Sequence, residues 1–161
     1  MKQFLYLLLA ACLFPLISPA QTAKVPIDYL QVPGPILFEQ TAYHLAWSSH
    51  PTATFYKQEY IAKGDDPSRF KTMLFFDLLK SSGPVKDVVE AKVAELKKLK
   101  ESNPLVNYQI TVMPKTGEYL LDFLLSQVAP DGKSQSIVER NVYRYKQFSD
   151  PSGKKGILLF G

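Results

Sequence analysis

Residues 119–160 read YLLDFLLSQVAPDGKSQSIVERNVYRYKQFSDPSGKKGILLF, and this stretch decides the fold. YLLDFLLSQ (119–127) is a β-prone run, apolar on both faces. APDGK (129–133) ends it, because Pro-Asp-Gly sets the backbone angles of a turn. SQSIVERNVYRYKQF (134–148) is a long strand, SDPSGKK (149–155) a second turn, and GILLFG a last strand. Turns this short join antiparallel neighbours, since a parallel pair needs a crossover of a dozen or more residues.

Working outward, VNYQITV (106–112) alternates Val106, Tyr108, Ile110 and Val112 with polar residues, the period of a half-buried strand. MPKTGE turns it into the next run. Before it, residues 84–101 carry Val85, Val88, Val89, Val93, Leu96 and Leu99 on one stripe, with lysines and acids on the rest of the circumference. That predicts a helix with Pro84 at its first position and Asn103-Pro104 as its stop. KTMLFFDLLK (71–80) reads as a strand buried on both faces, with a short buried helix as the rival. KGDDPSRF (63–70) is a loop, and TATFYKQEYIA (52–62), AYHLAWSS (42–49) and ILFE (36–39) are strands. Tyr43, Leu45 and Trp47 should share one face, and SSHPT should form the hairpin connection. Pro26, Pro33 and Pro35 make residues 21–35 an extended lead-in. The expected fold is α+β: a single antiparallel sheet of about six to eight strands packed against one long helix, as one domain over residues 36–161.

Residues 1–20, MKQFLYLLLAACLFPLISPA, have the form of a cleaved secretory signal: Lys2, an apolar core, and small residues at Ser18 and Ala20. Gln21 would begin the mature protein, secreted or periplasmic. The alternative is Leu9-Ala10-Ala11-Cys12 as a lipobox, with the protein lipid-anchored through Cys12. Cys12 is the only cysteine, so a mature chain starting at Gln21 has no disulfide and no cysteine nucleophile. No apolar run in that chain is long enough to span a membrane as a helix. The chain stops at Gly161 directly after an apolar strand, which leaves open a longer protein.

The formal charge is +4, with Lys and Arg spread along the chain and no RNP-like, helix-turn-helix or zinc-finger pattern. No nucleic-acid partner is expected. WSSHP (47–51) holds the only tryptophan and one of two histidines. Ser49 and His50 are adjacent, and neighbours in extended chain diverge, so they are not expected to act as a nucleophile and base. His44 is expected to face solvent and His50 to sit in a loop. Asp65 and Asp66 lack the alternate spacing of a calcium loop. No metal site and no cofactor are expected.

The clearest departures from apolar patterning are Asp77 in LFFDLL and Asp122 in LLDFLL. Isolated buried carboxylates are costly and need a cation or a hydrogen bond. Arg140 and Arg144 are the expected cations and share one face of the long strand, while Glu139, Asn141, Tyr143 and Tyr145 share the other. A cleft holding Asp77, Asp122, Arg140, Arg144 and Tyr143 would suit a small polar ligand.

EYIAKGDD, followed by Phe70, Met73 and a strand reaching Asp77, resembles small secreted bacterial proteins with an E-Y-x-x-x-G-[DE] stretch. That resemblance covers a minority of the chain and implies export, with no activity attached. Antiparallel strands with one long helix are also similar to PsbP/Mog1-like accessory proteins, an analogy of fold alone. The expected function is an exported, non-catalytic binding or accessory module of the bacterial envelope, whose partner is an envelope protein or a small polar ligand. The alternatives are a small hydrolase or ligand-processing enzyme using Asp77 and Asp122 with an Arg or Tyr, and a subunit of an envelope assembly.

Overall fold

In a computed structural model, which describes residues 25–129 and 134–161, eight strands form one antiparallel sheet with a single helix. The leader reading, the Gln21 start and most of the APDGK turn lie outside the described residues. The elements are β1 (Ile36–Phe38), β2 (Thr41–Thr52), β3 (Phe55–Ala62), β4 (Met73–Leu79), α1 (Val85–Ser102), β5 (Asn107–Met113), β6 (Glu118–Val128), β7 (Gln135–Ser149) and β8 (Lys155–Phe160). Spatial order is β1-β2-β3-β4-β8-β7-β6-β5. The chain therefore makes two meanders. The first ends at β4, α1 carries the chain to the far edge, and the second returns until β8 closes against β4. The sheet curls into a half-barrel, so it dominates the architecture more than the expected sheet-on-helix layering implies.

The helix sits over the second meander, against β5, β6 and β7. Val85, Val89, Val93 and Leu96 are buried against Leu121, Phe123, Tyr145 and Ile157. Leu99, expected on that stripe, is 40% exposed. Pro84 is the residue before the helix, not its first member. Asn103 fastens the other end: its N–H donates to the Leu99 carbonyl at 3.0 Å, and its side-chain amide donates to the Ser126 carbonyl at 2.9 Å. One residue thus ends the helix and ties it to β6.

The rival helix at 71–80 does not form; β4 pairs with β3 and β8 along both edges. Gly117, at φ +69°, and Gly153, at φ +82°, close the β5–β6 and β7–β8 turns in a conformation that glycine adopts without strain.

Two expectations for β2 are corrected. SSHPT is not the connection. The strand runs to Thr52, which pairs with Phe55, leaving Ala53 and Thr54 as the turn. Pro51 is tolerated inside the strand because β1 pairs only with residues 41–43, so no ladder bond is lost on that side. Tyr43, Leu45 and Trp47 do not share a face. Leu45 pairs with Tyr60 but Trp47 pairs with Glu59, so one extra residue is accommodated between them. Such a bulge reverses the alternation and sends Trp47 to the helix side of the sheet.

Candidate functional site

The cross-strand register decides which side chains meet. On the side of the sheet that carries the helix, Trp47 stands opposite Glu59, Lys57 opposite Asp77, and Glu59 opposite Phe75. Asp77 is opposite Leu159, which is opposite Tyr145, so this row continues into the core beneath α1. Tyr143 lies two residues from Tyr145 on the same face, its ring 4.8 Å from Phe75 and 4.7 Å from Phe123, edge-on to both. The helix covers the second meander only. The first meander's share of this face holds Trp47, Lys57, Glu59 and Asp77, bordered by Tyr143 and Asn141.

Asp77 is the most constrained of these groups. Its carboxylate is 8% exposed and accepts a hydrogen bond from Lys57 Nζ to Oδ2 at 2.9 Å. Among the described residues, its Oδ1 and the Asn141 Nδ2 are buried without a hydrogen-bond partner. Burial raises the Asp77 pKa, opposed by the hydrogen bond and charge of Lys57. Glu59 is raised as well, by burial first; Lys57 opposes that shift and the Asp77 charge adds to it. Tyr143 is pushed up to about 12, chiefly by burial, with Asp77, Glu95, Glu139 and Glu59 contributing negative charge. At neutral pH the phenol is therefore a hydrogen-bond donor inside an acidic surround.

The five residues singled out in the sequence separate into two groups. Asp77 and Tyr143 belong to the face just described. Asp122, Arg140 and Arg144 are on the other, since Asp122 pairs with Val142 while Leu121 pairs with Tyr143. The expected Arg140–Asp122 pair forms: Nε reaches Oδ1 at 3.1 Å and Nη2 reaches Oδ2 at 2.6 Å. The guanidinium holds the Asp122 carboxyl below its usual range. The other pairings are corrected. Asp77 is neutralised by Lys57 and not by an arginine, because β3 and not β7 is its neighbour on that side. Arg144 binds the buried Glu118 through Nε at 2.6 Å and packs over the Phe160 ring. With the two aspartates on opposite faces, no cleft joins them, and a reaction that uses both at once has no geometry here.

The opposite face of the first meander carries the groups that sequence reasoning missed. Gln58 is fully buried. Its Oε1 accepts the Leu30 N–H at 2.7 Å, and its Nε2 donates to Asp28 Oδ1 at 3.0 Å and to Tyr60 Oη at 2.6 Å. Ser48 Oγ accepts the Ile27 N–H at 2.9 Å. His50 stacks on Tyr56 at 4.0 Å, with Tyr29 tilted against both. Ser48 and His50 of WSSHP thus anchor the lead-in, and His50 lies in the strand, not in a loop. His44 is exposed, as expected. The signal was present in FYKQEY, where a buried Gln58 alternates with Lys57 and Glu59, but which face it joined depended on the bulge in β2.

No group of three or more His, Cys, Asp or Glu that could hold a metal occurs among the described residues. Nor is any described helix long and apolar enough to cross a membrane. Asp66 is occupied locally: it accepts the Ser68 N–H at 2.8 Å and its hydroxyl at 2.7 Å in an exposed turn.

A family model matches residues 30–161, and the chain belongs to that family, an uncharacterised one. No curated protein and no solved structure matches the chain.

Proposed function

We propose that this member of an uncharacterised family is an exported, non-catalytic binding module of the bacterial envelope, and that it holds a small polar ligand on the open part of its helix-side face. One observation carries the reading. Asp77, buried and half-paired, and Asn141, with a buried unpaired amide, keep free polar valences on a sheet face that also carries Trp47, Phe75 and Tyr143. Buried polar groups are nearly always satisfied, and the exceptions concentrate at functional places. Lys57, Glu59 and the Tyr143 hydroxyl supply donors and acceptors beside them. The form of residues 1–20 supports export.

Trp47 provides the test, because it is the only tryptophan and pairs with Glu59 on the same face. Its fluorescence should change saturably with at least one of glycine, butylamine and glucose, and the change should be lost in Glu59→Gln. No saturable change with any of the three, together with no small molecule retained by protein purified without denaturation, would remove the reading. Intact mass of the protein from its native host should place the start at Gln21; a lipid-modified Cys12 would make it an anchored module instead.

A second reading, a subunit of an envelope assembly, is favoured by Leu124, Val138 and Val142, which are exposed on one face of the β6–β7 hairpin. Self-association abolished by Val138→Lys, measured by sedimentation, would support it.

A further inference from the structure

At the end of the sheet where β4 runs toward the helix and β7 turns into β8, the surface forms a cleft of about 320 Å³. Its floor is apolar, made by Leu78 and Phe148. Gly156 lies against that floor: a Cβ there would stand 3.0 Å from the Leu79 carbonyl oxygen, 3.2 Å from Leu78 and 3.6 Å from Phe148. Lys80, Lys154 and Lys155 line the cleft together with Ser81 and Ser82. None of the three lysines has a carboxylate within 4.0 Å among the described residues. The single acid in the lining, Asp150, already accepts from the Ser152 hydroxyl at 2.7 Å and the Lys154 N–H at 2.9 Å. Lys80 donates one proton to Tyr56 Oη at 2.7 Å and keeps two. Ser81 Oγ accepts the Gly83 N–H at 3.1 Å, so its own proton is free to donate.

Three ammonium groups and two hydroxyls face a single carboxylate, Asp150, whose Oδ1 is held by local hydrogen bonds and whose charge offsets part of Lys154's, so donors and positive charge remain in excess. A monovalent carboxylate matches such a set poorly, and an oxyanion of two charges and three terminal oxygens matches it well. The apolar floor beside the cations suits a hydrocarbon attached to that oxyanion. We propose that this cleft binds a phosphate monoester, its phosphoryl group among Lys80, Lys154 and Lys155 and its apolar chain on Leu78 and Phe148. The cleft is separate from the helix-side site: Leu78 faces away from the row that holds Asp77, so the two can stand or fall independently.

The test is titration calorimetry of the purified protein at low ionic strength, with inorganic phosphate, hexyl phosphate, and phosphatidylcholine vesicles with and without phosphatidic acid. Hexyl phosphate should bind saturably and more tightly than inorganic phosphate. K154Q/K155Q should weaken it by about tenfold or more, as expected for lost charge-assisted hydrogen bonds. Phe148→Ala should bring hexyl phosphate down toward inorganic phosphate. Binding of phosphatidic acid vesicles as well would identify a lipid headgroup as the source, and binding of hexyl phosphate alone a soluble ester. The proposal is overturned by no saturable binding of hexyl phosphate, by vesicle binding without it, or by undiminished binding in K154Q/K155Q. If that variant loses its cooperative melt, Lys154→Gln alone is read by the same criteria.

Discussion

The two halves of the sheet are covered from opposite sides and by different means. The second meander is closed by a helix whose Val and Leu stripe meets Leu121, Phe123, Tyr145 and Ile157. On the first meander it is the other face that is covered, by a lead-in without regular secondary structure, held through Gln58, Ser48 and a ring cluster. Apolar burial scales with area and needs no exact partner. A polar staple works only if every group is satisfied. The difference leaves two quadrants without either cover, the side of the second meander away from the helix and the helix side of the first, and the ionisable cluster of Lys57, Glu59 and Asp77 lies in the latter.

The largest expected effect tests the helical cover. Leu96 is fully buried, so Leu96→Ala should cost about 2–5 kcal/mol in urea melts, depending on how far the site collapses. A loss below about half a kcal/mol would mean that the second meander does not depend on its helix.

The polar cover should respond more weakly and more locally. Gln58→Met keeps the volume but strands the Leu30 N–H and the Tyr60 hydroxyl, at about 1–3 kcal/mol. Hydrogen exchange should rise first in residues 27–30, before the strands of the second meander. Uniform loss of protection across the whole sheet would erase the distinction between the two covers.

Much of this organisation was legible in the sequence. The order of strands along the chain, the single helix and its stop at Asn103 follow from period and turn chemistry. The parity of β7 also held, placing Arg140 and Arg144 apart from Tyr143. What was not legible depended on register. One inserted residue in β2 reverses Trp47, and no local composition marks the bulge. Lys57 became the partner of Asp77 only because β3 and β4 pair with Lys57 opposite it. The full burial of Gln58 follows from the lead-in folding back over that face, a contact between residues 28 and 30 positions apart in the chain. The family match extends across both halves of the sheet, so it offers no division between them.

The smallest effect, and the most discriminating, is a difference of sign between the two aspartates that stood out as alike. Asp77 has its pKa raised in the folded protein, chiefly by burial. A raised carboxyl binds more protons folded than unfolded, so its contribution to stability falls as pH rises from the unfolded pKa through the folded one. Asp122 is lowered by its hydrogen bond to Arg140, so its contribution is present above the unfolded pKa and is lost as pH falls through the folded one. Urea melts of wild type, Asp77→Asn and Asp122→Asn between acid and neutral pH separate the two. Relative to wild type, Asp77→Asn should compare best at neutral pH, where the buried charge is removed, and Asp122→Asn should compare worst there, where the ion pair is removed. The Asp122 difference should also shrink in high salt, because Arg140 is largely exposed and screening reaches it, while the Asp77 difference should persist. Differences that stay flat with pH for both variants would show that both carboxylates sit in water, and the helix side of the first meander would then be an ordinary solvated surface.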